Sequence, residues 1–206
     1  MNPIEWLHGA YFAERRLRAL SHLLISRIPS DASLLDVGCG DGRLAAAIGE
    51  LRPDIDIAGL DVQVRPDASL PVAQYDGRAI PHSDGSFDVV LFADVLHHCE
   101  DPQKLLAEGA RVARRCVLIK DHTLQGAVSG RLLRFMDDVG NSRFDVALPY
   151  NYWPEQRWRA AFAALDLSVE AWISKLGLYP GPVDWLFGGS LHFVASLGVS
   201  GTRGSE

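Results

Sequence analysis

The stretch Ser33-Leu-Leu-Asp-Val-Gly-Cys-Gly-Asp-Gly42 decides the fold. A short apolar run stops at a glycine, and glycines then recur at alternate positions. The run suits a buried strand. The glycines suit a tight loop, because they accept backbone angles closed to other residues and let a ligand approach the main chain. Leu44, Ala45, Ile48 and Leu51 follow at helical spacing, so the stretch predicts strand, glycine loop and helix in succession. Upstream, Leu17, Leu20, Leu24 and Ile28 share one helix face before Pro29 ends it. Downstream, strands are predicted over 56–62, 72–75, 87–93 and 116–121. Asp101-Pro102 opens a helix with an N-cap and a first-position proline, and Leu105, Leu106, Gly109 and Val112 form its inner face. A further helix over 154–165 points Trp158, Ala161, Phe162 and Leu165 inward, and two closing strands are expected over 167–176 and 191–197. Strands alternating with helices predict an α/β domain with a mostly parallel sheet.

The expected organisation is a single domain over residues 1–197, with an N-terminal helical flap (1–30), a lid insertion (123–153) and a disordered tail (198–206). The chain of 206 residues is 48% hydrophobic and carries a formal net charge of -6. It has no run of lysines and arginines to neutralise phosphates, which argues against a nucleic-acid partner. No apolar run reaches the roughly 20 residues of a membrane helix. Residues 1–16 lack the basic start and apolar middle of a signal peptide. Cys39, Cys99 and Cys116 stand apart with no CxxC pair. They read as unpaired thiols of a reducing compartment, and a cytoplasmic location with no metal site is expected.

Acidic residues surround the glycine loop. Asp36 and Asp41 flank it, Asp61 ends the second strand about 20 residues on, and Asp76 follows the third. Asp61 stands where an acid grips a ribose diol, because its two oxygens accept from both hydroxyls. The loop reads Gly-x-Gly-x-Gly, and Arg43 takes the last glycine position of the dinucleotide fingerprint. A pyrophosphate would meet like charge in this crevice. S-adenosylmethionine, with a sulfonium, an ammonium and no phosphate, suits it better than a nicotinamide dinucleotide. A nicotinamide-dependent oxidoreductase and a non-catalytic S-adenosylmethionine-binding subunit remain the alternatives.

Residues 34–42 (Leu-Leu-Asp-Val-Gly-Cys-Gly-Asp-Gly) resemble the first motif of class I S-adenosylmethionine-dependent methyltransferases. Ala58-Gly-Leu-Asp-Val62 is similar to their second motif. Ile80-Pro-His-Ser-Asp-Gly-Ser-Phe-Asp88, running on to Val95-Leu-His-His-Cys-Glu-Asp-Pro102, resembles the type 11 branch, which includes ubiquinone- and menaquinone-pathway enzymes. The resemblance implies a Rossmann-like seven-stranded sheet of order 3-2-1-4-5-7-6 with the last strand antiparallel and helices on both faces. It implies that Gly38 and Gly40 lie against the methionine part, and Asp36 near its amino end. Asp61 would hold the ribose, Asp76 and Gly77 the adenine edge, and Val62 and Ile80 its two faces. The carbonyl of Phe92 or Ala93 would face the ammonium. The chain departs from the pattern at Ala113-Arg-Arg-Cys116 and at Leu165-Asp-Leu167, both in the substrate half.

Methyl transfer is an in-line displacement, and alignment with desolvation supplies much of its catalysis. A base is needed only where the acceptor loses a proton. Histidine titrates near neutrality, so the expected catalytic residues are His122, oriented by Asp121 at the end of the fifth strand, and then His97 after the fourth; His98 reads as structural. Aromatics and arginines over 131–158, with Tyr179, Trp185 and Phe187, read either as core or as a lid over a small, partly apolar acceptor.

Overall fold

The structure is a computed structural model, and it describes residues 3–125, 129–131, 133–134, 151–179, 181, 184 and 191–200. Helix α1 spans Pro3–Ile25. Strand β1 (Ser33–Val37) runs into the glycine loop and helix α2 (Arg43–Leu51). Strands β2 (Asp56–Asp61), β3 (Val72–Gln74) and β4 (Phe87–Ala93) follow, then a 3-10 turn over Leu96–His98, helix α3 (Pro102–Val112) and the long strand β5 (Ala113–Leu124). A two-residue strand β6 (Trp153–Pro154), helix α4 (Glu155–Ala164) and strands β7 (Leu167–Ile173) and β8 (His192–Val199) close the described chain.

The sheet order is β3-β2-β1-β4-β5-β8-β7, with β6 pairing β5 off this path. Strands β1 to β5 pair in parallel, and β8 runs antiparallel to both β5 and β7. This is the expected Rossmann-like path, its last strand inserted antiparallel. The short β6 only shifts the numbering. The apolar strands are buried on both faces, as a parallel sheet under helices requires. One core joins Leu35, Val37, Val90 and Phe92 to α3 and to Trp158 and Phe162 of α4. The other joins Leu34, Val89 and Leu91 to Leu24 of α1 and Ile48 of α2.

Local signals explain the element ends. Asp101 caps α3 by accepting from the Lys104 N–H, and Pro102 sits at the helix start. Gly38, Gly40 and Gly42 all have positive φ. Space also demands two of them: a Cβ on Gly42 would lie 2.0 Å from Leu70 Cδ2, and one on Gly38 2.5 Å from Val95 Cγ2. Strand β8 continues to Val199, two residues into the stretch expected to be tail, because Gly198 and Val199 pair with β7. The expected strand over 116–121 is twice as long in the fold, spanning Ala113–Leu124. Most of the expected lid, with Phe135, Met136, Phe144 and Tyr150, and also Trp185 and Phe187, lies outside the described residues. Of the aromatics that are described, Trp153, Trp158 and Phe162 are core.

Candidate functional site

The site lies at the carboxyl ends of β1, β2, β4 and β5 and at the amino end of the antiparallel β8, and it has two halves. The first is the glycine loop and its acids. The loop amides turn inward, toward β2. The Gly38 and Cys39 N–H groups donate to the Leu60 carbonyl at 2.6 and 3.2 Å, and the Gly40 N–H donates to Asp61 Oδ2 at 2.7 Å. Asp61 Oδ1 accepts from the Gln63 N–H at 2.9 Å. The Asp61 carboxylate is thus fixed by two backbone donors, and each oxygen keeps a lone pair for a ribose hydroxyl. Val62 beside it is 52% exposed, an apolar side chain presented outward.

Asp36 is 2% exposed, and its Oδ1 has no hydrogen-bond partner among the described residues. Burial first, and the charge of Asp61 second, push its carboxyl up to about 7. An orphaned buried carboxyl oxygen beneath the loop is what the ammonium of an aminoacyl group would satisfy. Asp76 Oδ1 accepts from the Arg78 and Ala79 N–H groups at 2.8 and 3.0 Å, and these bonds hold its carboxyl below the usual range. Gly77 has φ 77°, and a Cβ there would stand 3.0 Å from Val62 Cγ1. Ile80 is buried at 2% exposure, and Phe92 and Ala93 end β4 beside the loop. The residues expected to bind the cofactor therefore gather along one edge, and their chemistry fits a ribose, an adenine and an ammonium.

The second half is a buried polar cluster on the acceptor side. Asp94 follows β4 with φ 59°, a left-handed conformation uncommon outside glycine. Its N–H donates to the Lys120 carbonyl at 2.8 Å, and its carboxylate accepts from Lys120 Nζ and from the Arg16 guanidinium. These cations hold the Asp94 carboxyl well below the usual range despite burial. Burial lowers Lys120, itself fully buried in β5, to about 8.

Asp121 accepts from His97 Nδ1 at 2.5 Å, from the His122 N–H at 2.7 Å and from the Leu96 N–H at 3.1 Å. The sequence expectation set Asp121 beside its neighbour His122, and the structure adds His97 as the partner at hydrogen-bond distance, with His122 Nδ1 at 3.6 Å. His122 Nδ1 lies 3.5 Å from His97 Nδ1, 3.6 Å from Asp121 Oδ1 and 3.7 Å from Asp94 Oδ1. Burial, then the nearby His97, lowers His122 from its ordinary value, so it is a neutral base at neutral pH. The Trp158 Nε1–H donates to the His122 carbonyl at 3.1 Å. His98 packs against His97 with ring centroids 4.0 Å apart.

Sequence reasoning missed Arg16, Asp94, Lys120 and His192. His192 sits opposite His122 on β8, and its Nδ1 is 3.4 Å from Lys120 Nζ. Only the Asp after Phe-Ala at the end of β4 offered a signal. Asp94, His97 and His122 bring donor atoms within 4.8 Å of one another, a spacing a metal ion spans. The charges of Lys120 and Arg16 already on Asp94 oppose a dication there.

Residues 35–116 match the family model described as a methyltransferase domain. The chain is 32% identical over 53% of its length to the 27-O-demethylrifamycin SV methyltransferase of Amycolatopsis mediterranei, covering 48% of that protein. It is 26% identical over 90% of its length to the ubiquinone biosynthesis O-methyltransferase of Methylococcus capsulatus, covering 83% of it. The chain spans about half the length of the first of these relatives. Among solved structures, an S-adenosylmethionine-dependent methyltransferase from Aquifex aeolicus superposes with a TM-score of 0.56 at 18% identity, over 84% of each chain.

Proposed function

We propose that the chain is a class I S-adenosylmethionine-dependent methyltransferase of type 11, a reading the methyltransferase-domain match supports, and that it methylates a small, partly apolar molecule whose accepting atom carries an acidic proton. The observation that carries this reading is the buried meeting of His122 with the Asp121–His97 pair, next to the glycine-loop crevice. The methyltransferase-domain match displaces the nicotinamide alternative.

S-adenosylmethionine, when bound, supplies an electrophilic methyl on a cationic sulfur. The residues named for it are Asp36, Gly38, Gly40, Asp61, Val62, Asp76, Gly77, Ile80, Phe92 and Ala93. Asp61 holds the ribose hydroxyls, and Asp36 with the end of β4 receives the ammonium. His122 would take the proton that the acceptor loses on methylation. Asp94 and Asp121 flank its Nδ1 and stabilise the imidazolium that results. His97, held by Asp121, sits where it orients His122 or serves as the second base. Tyr152, stacked near His97 at 5.7 Å between centroids, and the buried aromatics of α4 exclude water from this half. The free cysteines accord with a cytoplasmic setting.

Methyl release from purified protein onto a panel of phenols, carboxylic acids and amines tests the reading. Activity is expected on acceptors with an acidic O–H or N–H. His122→Ala is expected to lower kcat by about 10²–10⁴-fold with cofactor affinity retained. Full kcat in that variant would remove the base from the mechanism. A protein inert alone but active with an added partner would favour a cofactor-binding subunit.

A further inference from the structure

The segment 76–86 crosses the floor of the adenine side of the crevice, and none of it is helix or strand until β4 approaches. Such a loop is ordinarily the mobile part of a site. Here side chains of α3 hold it. Glu108 Oε2 accepts from the Ile80 N–H at 2.9 Å. Arg111 Nη2 donates to the Ile80 carbonyl at 3.0 Å, and Arg111 Nη1 donates to the His82 carbonyl at 2.8 Å. The two side chains brace each other: Arg111 Nε and Nη2 donate to Glu108 Oε1 and Oε2, each at 2.8 Å. Arg111 Nη1 also reaches Asp84 Oδ1 at 2.7 Å, and the Arg111 carbonyl accepts from the Gly85 N–H at 2.9 Å. Upstream, Asp76 Oδ1 ties down the Arg78 and Ala79 N–H groups.

We propose that Glu108 and Arg111 are positioning residues for S-adenosylmethionine, a clamp that fixes the Ile80 backbone in the wall of the adenine pocket without either side chain touching the cofactor. The inference rests on the reading of Asp61 to Ile80 as the adenosine pocket. Ile80 has both its N–H and its carbonyl fixed by one bidentate ion pair. The pair is three-quarters buried at each partner, where charge-assisted bonds are strong. A preset wall removes the ordering cost that binding would otherwise carry. Arginine is required because its planar fork serves two carboxylates and two carbonyls at once, which a single ammonium cannot do.

Calorimetric titration with S-adenosylhomocysteine, at a temperature well below unfolding, tests the clamp. Arg111→Lys and Glu108→Gln are both expected to raise Kd by roughly ten-fold or more, the order seen when outer-shell hydrogen bonds are removed. The cofactor KM rises with them, while kcat at saturating cofactor is kept. Asp84→Ala is expected to change little, because it removes only an exposed arm. Arg114→Ala, whose guanidinium pairs with Asp88, is expected to change nothing at the site. A lowered Tm with unchanged Kd would make the pair structural and overturn the proposal. Hydrogen exchange of residues 76–86 in the wild-type protein without cofactor is a second measure. Slowed exchange at Ile80 is expected, and exchange as fast as a free coil would also overturn it. Asp61→Ala separates the two levels. If it loses binding while Arg111→Lys keeps it, only the clamp fails; if both keep it, the pocket reading fails first.

Discussion

Asp36 faces two opposed demands: burial favours its neutral form, and a bound ammonium favours its anion. Its carboxyl is raised to about 7, and its Oδ1 has no partner among the described residues. Cofactor binding is therefore expected to release a proton from Asp36 below about pH 7 and to tighten as pH rises toward that value. Calorimetry in buffers of different ionisation enthalpy reads the proton directly, and Asp36→Asn is expected to abolish the release. For His122 the shift runs the other way. Its lowered value places the acid limb of kcat below the ordinary 6.5, and a limb above 6.5 would exclude it as the base. Asp61→Ala removes the acceptor of the Gly40 and Gln63 N–H groups as well as the ribose contact. Cofactor binding is expected to be lost with the circular-dichroism spectrum retained, and unchanged affinity would remove Asp61 from the site.

At the scale of elements, helix α3 does the most to hold the site together. Its first turn depends on Asp101, whose side chain accepts from the Lys104 N–H at 3.1 Å. Asp101→Ala is expected to cost about 1 kcal/mol in urea unfolding. Its middle depends on Gly109, where a Cβ would lie 2.4 Å from Phe92 Cε2. Gly109→Ala forces β4 and α3 apart, and about 1–3 kcal/mol of destabilisation is expected. Strand β5 matters for a different reason. Its long antiparallel pairing with β8 places His122 opposite His192, which no reading of β5 alone suggests.

At the scale of the molecule, the buried charges set how stability follows pH. Asp36 keeps a proton in the folded chain that it loses in the unfolded one between its ordinary 3.8 and about 7. Its contribution is fully present below 3.8 and falls as pH rises through that window. Asp94 and Asp121 are depressed by their cations and hydrogen bonds, so their contribution is present above the ordinary carboxylate range and is lost in acid. Lys120 is a cost below about 8, relieved as pH rises toward 10.5. Urea midpoints of Asp36→Asn against wild type are expected to differ in their pH slope between 4 and 7, the window set by Asp36. Parallel slopes would show that Asp36 does not titrate as argued.

What the sequence determined was local. Alternating apolar periods named the strands and helices, Asp101-Pro102 marked a helix start, and Gly38, Gly40 and Gly42 marked the loop, because each signal is written in neighbouring residues. The spacing of Asp61 and Asp76 after that loop then placed the crevice. Tertiary structure alone decided the acceptor half. It joined His97 to Asp121, set Arg16 and Lys120 on Asp94, and brought His192 across from β8. These pairs lie 24 to 78 residues apart, and their meeting depends on strand register and on the direction each side chain takes. No periodicity in a single segment carries that information.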